Sequence, residues 1–119
     1  MITSNIVYKI LWATIEDFDG LWEICWELNS LFPENSKREN QEMAKKISQY
    51  FLENGLVTFY ISKWGSDDLK ELHFEEAIKI LEGEIYWDAP ALNEICIKIG
   101  STEKGEIFYN EELINDLDH

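Results

Sequence analysis

Positive charge is scarce in this chain. Ten lysines and arginines stand against 24 aspartates and glutamates, a formal net charge of −14. A surface this negative repels nucleic-acid phosphate and anionic lipid, and it draws basic partners through its long-range field. Cysteine is also scarce, with only Cys25 and Cys96. One falls in a helical pattern and the other in a strand pattern, so two buried, reduced thiols are expected rather than a disulfide framework. There are two histidines, His73 and His119. Neither sits in a ligand-spaced cluster, so no metal site, cofactor or catalytic histidine is expected. No apolar run reaches the ~18 residues of a membrane span. The opening Met1-Ile2-Thr3-Ser4-Asn5 lacks the basic region of a secretory signal. The expectation is a cytoplasmic, non-membrane protein.

The chain does hold the makings of a single core, and residues 1–119 read as one domain. Hydrophobic residues make up 45% and aromatic residues 13%, too much for a disordered segment. Ser36 and Glu39 have the spacing of a capping box. Met43, Ala44, Ile47, Tyr50, Phe51 and Leu52 follow at helical spacing, and Asn54-Gly55 provides a stop. The segment Leu56–Lys63 is β-branched and aromatic, the composition of a strand.

Earlier in the chain, Ile6, Val7, Ile10 and Leu11 predict a first helix over 5–14. Phe18, Leu21, Trp22, Cys25 and Leu28 predict a second over about 18–31, capped by Asp17 or Asp19. Further on, Phe74, Ala77, Ile78 and Leu81 predict a short fourth helix over 73–82. Alternation of Ile95, Ile97 and Ile99 predicts a strand over 94–99. Ser101-Thr102-Glu103-Lys104-Gly105 is expected to turn that strand into a second one over 106–109, making a terminal hairpin. Asn110 could cap a final helical turn.

Three helices, a strand and a later hairpin give winged-helix order, with an insertion from Trp64 to Asn93. The chain resembles a family of small bacterial winged-helix-like proteins. The matching residues are Leu21-Trp22-Glu23-Ile24-Cys25-Trp26-Glu27-Leu28-Asn29, Phe32-Pro33, Ala44, Leu52-Glu53-Asn54-Gly55-Leu56-Val57, Glu75-Glu76-Ala77 and Trp87. The resemblance spans most of the chain, but departs at Ser101–Gly105, where relatives commonly carry a Thr-Pro-Ala-Gly-like turn. It implies an α+β fold with a winged-helix-like three-helix core, a small antiparallel sheet and an inserted fourth helix. It brings no function with it.

Two surfaces are candidates for function. On the second helix, Trp22 lies on the apolar stripe, while Ile24, Trp26 and Leu31 point elsewhere. Either the fourth helix and the loop around Trp87 cover these three residues, or they form an exposed protein-binding patch. Trp64 and Trp87 flank the insertion, where they could form its lid or a satellite core. The second surface is basic. Lys37, Arg38, Lys45 and Lys46 cluster on the capped helix, the one that would enter the major groove in a DNA-binding winged helix. Glu39 and Glu42 intrude on that face. Paired carboxylates such as Glu75-Glu76, Glu111-Glu112 and Glu82 with Glu84 read as solvated helix faces. The leading expectation is a non-catalytic acidic module that binds a protein partner, in the manner of an immunity protein or regulatory adaptor. The alternative is a DNA-binding transcription regulator.

Overall fold

Ser36 starts the longest helix, as its spacing to Glu39 predicts. The computed structural model describes residues 4–16, 19–83 and 85–117. In it the Glu39 amide donates to Ser36 Oγ at 3.1 Å, and the Ser36 amide donates to Glu39 Oε1 at 2.9 Å. The two bonds satisfy backbone donors that helix geometry leaves without a partner. They also hold the Glu39 carboxyl below its ordinary pKa. This helix, α3, runs over Lys37–Glu53. It ends where Gly55 takes the left-handed conformation, with φ of 68°.

Ahead of α3 lie α1 (Ser4–Glu16), a two-residue strand β1 (Asp19–Gly20) and α2 (Leu21–Leu31). After it come β2 (Val57–Lys63), the short β3 (Lys70–Glu71), α4 (Phe74–Glu82), a 3-10 turn (Ile85–Trp87), β4 (Ile95–Ser101) and α5 (Glu103–Leu117). The class is α+β, as expected, and no described helix is long and apolar enough to cross a membrane. The strands form one antiparallel sheet in the order β1-β4-β2-β3. β2 and β4 pair along their full lengths, from Val57 opposite Ser101 to Lys63 opposite Ile95. Strand alternation therefore sends Val57, Phe59, Ile97 and Ile99 into the core. There they meet Leu21, Ile24 and Leu28 of α2 and Ala44, Ile47 and Phe51 of α3.

The chain end differs from expectation. No strand forms over 106–109, because those residues lie within α5. Thr102 is the reason. Its amide donates to the Leu56 carbonyl at 2.9 Å, and its Oγ1 donates to the Gly55 carbonyl at 2.7 Å. The same Oγ1 accepts from the Gly105 amide at 3.0 Å, so Thr102 acts as a helix cap rather than a turn residue. Gly105 also has another use than the expected one. The first turn of α5 lies so close to β2 that a Cβ at Gly105 would strike the Leu56 carbonyl. The hairpin partner of β4 is thus β2, reached across the inserted segment.

Two smaller corrections concern the inserts. Asp19-Gly20 pairs with Ile99 and Lys98 as a strand, and α2 begins after it with Gly20 at the cap position. The expected roles of Asp17 and Phe18, together with Glu84 and His119, lie outside the described residues. Phe74 opens α4 but is exposed, leaving Ala77 and Leu81 as the buried anchors of that helix.

Two substitutions test these junctions. Ser36→Ala should lower stability by about 1 kcal/mol through loss of the cap, measured as a shift in the urea midpoint. Gly105→Ala decides between helix propensity and close approach, which have opposite signs. Propensity alone would stabilise by up to about 1 kcal/mol, whereas a clash with a backbone carbonyl should destabilise by about 1–3 kcal/mol. The expected result is destabilisation.

Candidate functional site

Leu21, Ile24, Cys25 and Leu28 recur at helical spacing and form the buried stripe of α2. Ile24 is only 1% exposed, so of the two alternatives it takes the covered one and belongs to the core and not to a binding patch. Its place follows from the count: it stands three residues after Leu21 and four before Leu28. Leu31, at the helix end, is half-buried. Trp87, from the 3-10 turn, joins the same core, and its Nε1 donates to the Gly83 carbonyl at 3.1 Å. Ile24 and Trp87 thus share one buried cluster. Trp26 is not covered: it is 56% exposed on the outer face with Glu23, Glu27 and Ser30.

Trp22 lies between these two faces. It is buried, as expected, but outside the main core. Its ring lies over Gly20, where a Cβ would strike the indole, and edge-on to Trp64 at 5.4 Å between centroids. Lys98 Nζ stands 5.7 Å from the Trp64 ring centre. Trp64 and Trp87 thus serve different clusters instead of forming one lid.

Trp64 also begins the hairpin tip. Its amide donates to the Glu94 carbonyl at 2.9 Å, and its carbonyl accepts from the Asn93 amide at 3.0 Å. Two left-handed residues shape this tip, Gly65 at φ of 95° and Asn93 at φ of 69°. A non-glycine residue in that conformation carries strain, which the surrounding bonds must hold. Beside Trp64 the tip displays Leu92, at 71% exposure, and Ile95, also exposed. The bonded backbone at this tip presents apolar side chains to solvent.

The basic cluster is divided. Lys37, Arg38 and Lys46 are exposed on α3. Arg38 and Lys46 line a shallow groove of about 630 Å³, but Glu39 and Glu42 line it as well. Lys45 was expected beside Arg38 on the outer side; instead its side chain is only 19% exposed and pairs with Glu42 at 3.7 Å. Its charge acts on Cys25 of α2, which places it toward the interhelical side. The structure does not bring the four cations together on one open face.

Burial pushes the Cys25 thiol up to about 11, and the negative charge of Asp88 adds to the shift. Burial raises Cys96 too. Both cysteines are free and buried, as expected, and both remain protonated near neutral pH. His73 supplies the cap position of α4, where its amide donates to Glu76 Oε1 at 3.2 Å. Among the described residues, no group of three or more His, Cys, Asp or Glu side chains is placed to hold a metal ion. Comparison of the chain with protein-family models, with curated proteins and with solved structures found no match.

Sequence reasoning left Trp26 between coverage and exposure, and it did not single out Leu92 or Ile95. The period-two pattern assigned Ile95 to the buried row, since nothing local marks the point where that row leaves the core. The two α2 tryptophans should separate by stability. Trp22→Ala should cost about 3–5 kcal/mol, as for a large buried aromatic. Trp26→Ala should stay within about 0.5 kcal/mol of the parent. Chemical denaturation of both variants checks the pair.

Proposed function

We propose that this chain is a non-catalytic, acidic, cytoplasmic module of winged-helix-like design that binds a protein partner, as an immunity protein or regulatory adaptor does. The observation that carries this reading is the exposure of Trp26 on an acidic helix face, while every neighbour on the apolar stripe is buried. Exposed aromatics supply a large share of interface energy. The apolar tip at Trp64, Leu92 and Ile95 supports the same reading. The winged-helix comparison is supported by the order α1, β1, α2, α3, β2, β4 and by β1 lying beside β4 in the sheet. In that comparison β2 and β4 flank the wing, and α3 is the helix that would be offered to DNA.

DNA binding is the second reading, and Arg38 and Lys46 on the α3 groove speak for it. Against it stand Glu39 and Glu42 in the same groove, an apolar hairpin tip, and a net charge of −14 that a few cations must overcome. Affinity capture from cells compares the parent with Trp26→Ala and Leu92→Asp, each first checked for a native circular dichroism spectrum. A protein retained by the parent and lost from the variants supports the reading; identical retention by all three defeats it. Titration of a mixed-sequence duplex, followed by anisotropy, should show only weak binding that disappears at physiological salt. Submicromolar binding that survives salt and is lost on charge reversal at Arg38 would install the DNA reading instead.

A further inference from the structure

The outer face of α2 carries one large apolar side chain, Trp26, beside an acidic row. Glu23 lies three residues before it, so helical spacing places that carboxylate beside the ring, while Glu27 follows Glu23 by one turn and extends the acidic row away from the ring. Glu23 is held in position, since its Oε1 accepts from the Gly20 amide at 3.4 Å. That leaves its second oxygen for another donor. Helix α2 has no lysine or arginine of its own. The contrast with Trp64 is informative, because that ring already has a cation from its own chain, Lys98 Nζ at 5.7 Å.

We propose that the outer face of α2 docks a basic segment of a partner protein, with an arginine or lysine laid over the Trp26 ring against Glu23 and the segment continuing along the acidic row to Glu27. The proposal rests on the protein-binding reading above and names its partner chemistry. Charge decides the occupant. An apolar partner covering Trp26 would strip water from two carboxylates and return no counter-charge, a costly exchange. A cation over the ring gains from its face and from the Glu23 carboxylate together, and the next basic residue of the segment can meet Glu27. The net charge of −14 also draws a basic chain toward this surface before contact. A planar guanidinium suits the site best, since it can stack on the indole while its edge donates to a carboxylate.

The test uses the full chain labelled with nitrogen-15 and two synthetic probes. One is a peptide of alternating arginine and glycine; the other is its uncharged citrulline counterpart. The protein has five tryptophans, so five indole signals can be followed. Adding the arginine peptide should move the Trp26 signal most, and the citrulline peptide should leave it in place. Trp26→Ala should weaken arginine-peptide binding about fivefold. The double variant Glu23→Gln/Glu27→Gln should weaken it more than Glu75→Gln/Glu76→Gln, which removes the same charge from exposed positions of α4. Glutamine at 23 can still accept from the Gly20 amide, so the helix start is kept. Equal losses from the two double variants, or a bound peptide with the Trp26 signal unmoved, would overturn this docking site and leave the protein-binding reading standing. That broader reading fails separately, if the capture experiment retains the same proteins with Trp26→Ala and Leu92→Asp as with the parent.

Discussion

β2 and β4 come from either side of the excursion from Trp64 to Glu94, and their full-length pairing fixes where almost everything else can lie. Among the described residues β1 pairs with β4 alone, and α2 starts directly from it. α5 leaves the end of β4 through Thr102, which is bonded to Gly55 and Leu56 at the start of β2. A slip of one residue between the two long strands would exchange their faces. It would lift Ile97 and Ile99 out of the core and push Lys98 in. The hydrophobic cost of that exchange holds the register, and the register in turn sets the direction in which α2 faces.

The division of α2 follows from that anchoring. One side is claimed by the core through Leu21, Ile24, Cys25 and Leu28. Another is claimed by the sheet edge, where Trp22 settles over the bare backbone of Gly20 and against Trp64. What remains is the side holding Glu23, Trp26, Glu27 and Ser30, which no element of the described chain buries. The candidate surface is thus the face left over once two other packing demands have been met, and its aromatic residue stands out for that reason.

Features with local causes were legible in the sequence. Ser36, Glu39 and Asn54-Gly55 mark both ends of α3 within one residue, because caps act within a single turn of chain. β-branched and aromatic composition located β2, and alternation located β4, for the same reason. What escaped notice depends on distant chain. Asp19-Gly20 is too short to carry a strand signal and exists only by pairing with β4. Gly105 looks like a turn residue, yet its purpose is to let a helix approach the Leu56 carbonyl, some fifty positions away in sequence. Ile24 was misplaced because Trp22 was counted into the buried stripe, which rotated the inferred core face. Once Trp22 is assigned to its own cluster at the sheet edge, the remaining apolar residues of α2 fall into one regular series.

The turn between α2 and α3 is held in a different manner from the rest of the interior. Asn40 is fully buried, and its amide group donates to Asn29 Oδ1 at 2.8 Å and to the Phe32 carbonyl at 3.4 Å. Its oxygen accepts from Asn35 Nδ2 at 3.1 Å. Oily side chains can slide past one another at small cost, but a buried amide with three directional partners cannot move without stranding them. Asn40 therefore works as an alignment pin between two helices that would otherwise be free to rotate about their shared apolar seam. The angular position of Trp26 around the molecule is set in part by an asparagine on a different helix.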